Sequence, residues 1–250
     1  MKTLVLFHGW GAAGSIWRRQ VEAFGSRLRV LAPDTGAWEP GWFRQYLSEL
    51  PLPESVLVGW SLGGMLLIQT LTQYEGPAPG GLVLTGVAAS FCRRPGFPYG
   101  QPAAGVRAMR RALIDKPGEV LRKFARSCLA PGEEAFGIEA EAAFQSPAHP
   151  GNLAAGLDYL LSQDLSRSLR RLPGEPVIVQ GAADRIVAAS QAKFIHQQLP
   201  GSRLHLLPGA GHLPFLTQAA AFNGILERML GGRPGTEGPC PPPKPPSQPA

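Results

Sequence analysis

The sequence predicts an α/β fold: a mainly parallel sheet with helices on both faces and a helical cap inserted into it. Three observations predict it. Short apolar runs with β-branched content recur at 3–7, 29–32, 55–59, 81–86, 176–181 and 203–207, each the length of a buried strand. Helix-like stretches lie between them, at 16–24, 41–50, 62–74, 190–199 and 217–230. Parallel neighbours need crossovers, and right-handed crossovers place helices on the sheet faces. The alternation breaks once, from 89 to 171, where helical patterns continue without a convincing strand. The expected division is therefore a core of residues 1–88 and 172–230 and a helical cap of 89–171, followed by a tail of 231–250. The tail ends PCPPPKPPSQPA, can bury almost nothing, and is expected to be disordered with polyproline character.

At 250 residues and 44% hydrophobic content, the chain has material for one substantial core. No apolar run approaches the roughly 20 residues that span a bilayer, and the run Leu4 to Phe7 is too short for a signal peptide. Cys92, Cys128 and Cys240 are far apart and cannot all be paired within one chain, which fits a reducing, cytoplasmic setting. No membrane and no nucleic acid is expected as a partner, and the protein is expected to be a monomer. The net charge of +6 is local: from Arg93 to Arg126 there are nine basic residues against two acidic ones, an excess of +7. Such a concentration reads either as a surface that attracts an acidic partner or as a solvated helical face.

The chemistry is carried by Gly59-Trp60-Ser61-Leu62-Gly63, a G-x-S-x-G pattern. That pattern marks a turn so sharp that small residues must flank the serine, and it lifts the hydroxyl clear of the backbone. Its context is the required one, with an apolar strand, 55–58, before it and a helix opening at Leu62. A serine hydroxyl is a poor nucleophile and needs a base, which in turn needs a partner to fix its tautomer. The chain order of the α/β-hydrolase fold is Ser, then Asp or Glu, then His, on loops after late strands. Asp184 follows the strand at 176–181 and His212 follows the strand at 203–207, so both satisfy it. Asp34 also follows a strand and is the alternative acid, although it precedes the serine. His205 falls inside a strand, His196 in a helix and His149 in a Pro-flanked loop, so each reads as structural.

The oxyanion of a tetrahedral intermediate needs backbone donors aimed at it. Leu62 supplies one N–H from the helix start, and the loop His8-Gly9-Trp10-Gly11 after the first strand is expected to supply that of Trp10. Neither a metal-binding motif nor a nucleotide-binding motif competes, and no cofactor is expected.

With His8-Gly9-Trp10-Gly11, Gly59-Trp60-Ser61-Leu62-Gly63-Gly64, Asp184 and Gly211-His212-Leu213-Pro214-Phe215 in place, the chain resembles the biotin-pathway carboxylesterases of the α/β-hydrolase superfamily, the pimeloyl-[acyl-carrier protein] methyl ester esterases. The similarity runs from Thr3 to about Leu230, and Val87-Ala88-Ala89-Ser90 leading into the cap also looks like that family. The resemblance implies a serine esterase acting through an acyl-enzyme, with the acyl chain tethered to an acidic acyl-carrier protein. It implies docking of that partner by basic cap residues, for which Arg107, Arg110, Arg111, Arg122 and Arg126 are the candidates. It also implies a cap aromatic in the acyl pocket, best matched by Phe124, with Trp10, Trp60, Leu62 and His212 completing the substrate-binding set. The chain departs from the family in starting without the usual preceding hairpin, in lacking a glycine-rich loop at 34–42, and in its Pro-rich tail. A thioesterase, a broad short-chain esterase or the menaquinone-pathway lyase would use the same fold, and a non-catalytic module with a basic cap is the reading from another class.

Overall fold

The structure, a computed structural model, describes residues 2–144 and 150–231. The expected tail, including Cys240, and the loop bearing His149 lie outside the described residues. All six expected strands form: β1 (Thr3–Phe7), β2 (Arg29–Leu31), β3 (Ser55–Trp60), β4 (Gly81–Thr85), β5 (Val177–Gly181) and β6 (Arg203–Leu207). They make one parallel sheet in the order β2-β1-β3-β4-β5-β6. Every residue of β1, β3 and β5 is buried, as expected of parallel strands covered on both faces, whereas the edge strands β2 and β6 are largely open. The chain steps outward from β1 to β2 and then returns to β3 on the other side of β1. The order therefore reverses between β1 and β3, and the carboxyl ends of strands at such a reversal are the usual place for a ligand in an open α/β sheet.

Ten helices accompany the sheet among the described residues. Those outside the β4–β5 connection are α1 (Arg18–Phe24), α2 (Pro40–Ser48), α3 (Ser61–Leu71), α8 (Ala189–Gln198), α9 (Pro214–Thr217) and α10 (Ala219–Leu230). Proline at the first position of α2 starts it one residue before the apolar pattern does, because the missing N–H costs nothing there. All of α3 except Gln69 is buried, so this helix is apolar all round and lies at the centre of the molecule. The helix expected at 217–230 is broken at Gln218, whose backbone is non-helical (φ −124°, ψ 46°) and whose side-chain amide donates to Pro208 O at 2.8 Å. Trp17 cements this end of the core, with its ring centroid 4.1 Å from that of Phe215.

Between β4 and β5 the chain contributes α4 (Ala103–Ala112), α5 (Pro117–Ser127), α6 (Gly137–Ala143) and α7 (Pro150–Ser162). Pairing there is limited, among the described residues, to two isolated bridges, Cys92 with Gln101 and Arg94 with Phe97. The helices α4 and α5 are amphipathic in the ordinary way: Val106, Val120, Leu121 and Ala125 are buried and the arginines face out.

The loop after β1 is fixed by a buried histidine. The Nε2 atom of His8 accepts the Thr35 N–H at 2.9 Å, so Nδ1 carries the proton and donates to Gly9 O at 2.9 Å. Burial pushes the His8 pKa below its ordinary value, against smaller opposing effects of the Gly9 carbonyl and Asp34. The unfolded chain thus takes up this proton first as the pH falls, and the neutral imidazole stabilises the fold above about pH 6.5 and progressively less below it. Thermal denaturation between pH 7 and pH 5 should show a smaller loss of Tm in His8→Gln, whose amide can keep both hydrogen bonds, than in the wild type. Equal slopes would contradict the assignment of a buried neutral His8.

Candidate active site

Ser61 sits where β3 turns into α3, with φ of +52°, the one positive φ of a non-glycine residue among those described. A side chain in this region costs of order 1–3 kcal/mol unless its surroundings impose it. Three glycines allow the surroundings to do so. A Cβ on Gly59 would lie 2.5 Å from Gly64 Cα, one on Gly63 would lie 2.3 Å from His8 O, and one on Gly64 would lie 2.3 Å from Val87 Cγ2. The spacing of the motif therefore has a steric cause: strand, helix and the loop after β1 touch through hydrogens only.

His212 and Asp184 come to this serine from loops after β6 and β5. His212 Nε2 lies 3.0 Å from Ser61 Oγ, and His212 Nδ1 lies 2.7 Å from Asp184 Oδ2. Four donors fill the acceptor sites of Asp184: His212 Nδ1, Gln180 Nε2 at 2.9 Å, and the N–H groups of Ile186 at 2.8 Å and Val187 at 2.9 Å. With an acceptor-only carboxylate on Nδ1, the imidazole carries its proton there and presents a bare Nε2 to the hydroxyl. Such an arrangement can draw the proton from Ser61 as its oxygen attacks. The imidazole is fully buried between Trp60, whose ring centroid is 5.4 Å away, and Gly86, where an added Cβ would lie 2.9 Å from His212 Nδ1.

The alternatives separate cleanly. Asp34 Oδ1 accepts the Gly14 N–H at 2.7 Å and serves the turn before α1. His196 Nδ1 pairs with Ser202 Oγ at 2.7 Å, and His205 remains within edge strand β6. Cys128 lies close enough for the charge of Asp184 to act on it, but burial first and that charge second push its thiol well above the ordinary range. It stays a neutral thiol.

The loop expected to supply an oxyanion donor lies directly on the elbow: a Cβ on Gly9 would be 2.9 Å from Ser61 Cβ. Leu62 holds the second position of α3, where a helical N–H has no intrahelical acceptor. The Trp10 ring is held by its own N–H, which donates to Leu153 O in α7 at 2.7 Å. Edge-on against it lies Phe124, with ring centroids 5.1 Å apart, and Phe124 in turn meets Phe144 at 5.6 Å. Phe144 completes the group against Trp60 at 6.0 Å. Trp60 also donates its ring N–H to His212 O at 3.0 Å, so it anchors the histidine loop besides bordering the cluster. Sequence reasoning missed Phe144, Gly86 and Gly156, whose added Cβ would lie 2.5 Å from Trp10 Cδ1. Only Gly86, a glycine ending a strand with φ of +59°, left a readable signal.

Of the basic docking candidates, Arg107, Arg111, Arg122 and Arg126 are exposed and Arg110 is partly buried. Arg110 grips both oxygens of Asp158, and Arg126 pairs with Glu141. Among the described residues no ion pair engages Arg107, Arg111 or Arg122.

The profile of the Alpha/beta hydrolase family matches residues 4–225. Two curated relatives are pimeloyl-[acyl-carrier protein] methyl ester esterases. That of Aromatoleum aromaticum is 28% identical, with 92% of this chain and 98% of the relative covered. That of Nitrosomonas europaea is 29% identical, covering 90% and 94%. Among solved structures, a bromoperoxidase from Bacillus anthracis superposes with a TM-score of 0.83 at 24% identity, covering 92% of each chain. An esterase from Exiguobacterium antarcticum gives 0.83 at 21% identity, covering 93% of this chain and 92% of its own. The match over most of its length, the parallel sheet and the serine elbow agree: this chain belongs to the alpha/beta hydrolase family.

Proposed function

We propose that the chain is a serine carboxylesterase that hydrolyses the methyl ester of a pimeloyl group carried on an acyl-carrier protein. The observation that carries the hydrolytic reading is the unbroken run of hydrogen bonds from Asp184 through His212 to Ser61. Ser61 Oγ attacks the ester carbonyl as His212 Nε2 takes its proton. The tetrahedral oxyanion is received by the N–H groups of Trp10 and Leu62. Collapse expels methanol, protonated by His212, and leaves an acyl-enzyme on Ser61; water activated by the same imidazole then releases the free acid. Asp184 holds the ring in the required tautomer throughout. Residues 1–88 and 172–230 are read as the hydrolase core, and 89–171 as a cap that brings Phe124 and Phe144 to the acyl pocket beside Trp10 and Trp60.

Support for the substrate comes from the names of the curated relatives and from the exposed arginines of α4 and α5. An acyl-carrier protein is an acidic partner, and a surface of unpaired guanidinium groups steers such a partner and fixes its register. The family and the substrate class imply a water-borne reaction, and no helix among the described residues is long and apolar enough to cross a membrane.

Hydrolysis of methyl pimeloyl-carrier protein and of p-nitrophenyl butyrate, measured side by side, tests both levels. Both should be turned over, Ser61→Ala should abolish both, and Asp184→Asn should lower kcat on the order of 10⁴-fold on each. Turnover of the small ester alone would discard the carrier-bound substrate, and activity surviving in Ser61→Ala would discard the nucleophile.

Arg107→Glu, Arg111→Glu and Arg122→Glu together should lower kcat/KM for the carrier-bound ester by at least about tenfold at low salt while sparing p-nitrophenyl butyrate. Arg110 is left intact in that variant because reversing it would break its pair with Asp158. Equal loss on both esters would contradict docking through this face.

A further inference from the structure

The loop that delivers His212 is gripped from two sides. On the core side, Ala210 O accepts the Ala183 N–H at 2.9 Å, and a Cβ on Gly181 would lie 2.0 Å from Gly211 O. On the other side stands the turn between α5 and α6. The His212 N–H donates to Cys128 O at 2.7 Å, and a Cβ on Gly211 would fall 2.5 Å from Cys128 O and 2.7 Å from Ala130 N. Backbone meets backbone here, and one side chain enters the contact.

That side chain is Glu133, buried at 6% exposure. Its Oε2 accepts the N–H of Ala130 at 2.7 Å, within its own turn, and the N–H of Gly211 at 3.1 Å, the residue before His212. Oε1 has no hydrogen-bond partner among the described residues. Burying a carboxyl group is costly unless its hydrogen bonds repay it, and here only two neutral N–H donors, both on one oxygen, do so. As a device for stability alone this is a poor one. As a tie between two loops it is specific, because a single oxygen fixes the Gly211 backbone to the turn after α5.

We propose that Glu133 is a positioning residue for the hydrolytic reaction: it locks the His212 loop to the α5–α6 turn, so that the imidazole lies in line with Ser61 only while that turn is seated. The inference rests on the roles assigned to Ser61 and His212 above. It makes the helical segment between β4 and β5 a support of the base as well as a wall of the acyl pocket. Neighbouring Glu134 provides the contrast, since its carboxylate bonds backbone N–H groups of its own turn, those of Gly132 and Glu134 itself, and is open to solvent.

The test uses the full chain with p-nitrophenyl butyrate, together with a fluorophosphonate that counts competent sites and reports their rate of labelling. Loss of alignment by about 1 Å costs on the order of a hundredfold in rate, so Glu133→Ala should lower kcat per labelled site and the labelling rate by about tenfold to a hundredfold, with KM little changed. Glu133→Gln keeps a carbonyl oxygen for the same two N–H groups and should restore most of that loss, while Glu134→Ala should behave as the wild type. A Glu133→Ala protein with fewer labelled sites but a kcat per site within about twofold of the wild type would mean a merely structural role and overturn the inference. So would a Glu133→Gln protein, folded by circular dichroism, as slow per site as Glu133→Ala. Failure of the wild type itself to label at Ser61 would instead overturn the reading of the site on which this one rests.

Discussion

The positive φ of Ser61 is held in place by contacts that tolerate no side chain, and much of the central architecture follows from that constraint. Gly59 and Gly64 must touch for β3 to turn directly into α3, and Gly63 must lie under His8 O for the loop after β1 to reach the serine. The helix that begins at this turn is buried on nearly every side, so its apolar content reflects its place at the middle of the molecule rather than an amphipathic surface role. The strain in one residue is thus offset by the packing of β1 and β3, adjacent strands that are both wholly buried. Rigid elements, in consequence, carry the Ser61 hydroxyl.

His212 and Asp184 arrive differently. They stand 28 residues apart from each other, and the histidine 151 residues from the serine, yet sheet order puts their strands side by side and two places from β3 or beyond. Loops after β5 and β6 then cross above β4, and a chain of glycines opens the way: Gly86 clears the imidazole ring, Gly181 clears the 210–211 carbonyls and Gly211 clears the turn after α5. The histidine is therefore located by backbone contacts on three sides. Trp60, next to Ser61 in sequence, closes the circuit by donating to the His212 carbonyl.

The parts of this account that were legible in the sequence are those governed by local rules. All six strands were readable because buried parallel strands are short apolar runs, and Ser61, Asp184 and His212, which the fold brings together, were readable as candidates because each follows a strand in the order the fold requires. The break at Gln218 was not, since an apolar pattern continues through it and only the reach of its amide to Pro208 O explains the change of direction. Nor was the pairing of Arg110 with Asp158 and Arg126 with Glu141, which leaves Arg107, Arg111 and Arg122 as the docking candidates that no ion pair engages among the described residues. Contacts of this kind join residues far apart in the chain, and nothing in spacing or composition encodes them. Phe144 and Glu133 belong to the same class: one reads as an ordinary apolar residue and the other as an ordinary surface acid until the fold brings them to Trp60 and Gly211.

The proposed role of Ser61 as nucleophile, with His212 Nε2 3.0 Å from its hydroxyl, entails a covalent intermediate. Rapid mixing of the protein with p-nitrophenyl butyrate, acid quenching within the first turnover and intact mass spectrometry would look for it directly. The account predicts a protein heavier by one butyryl group, with the modification mapped to Ser61. Steady hydrolysis with no acylated protein at any time, when the burst of p-nitrophenol shows that deacylation is the slow step, or acylation mapped to another residue, would contradict it.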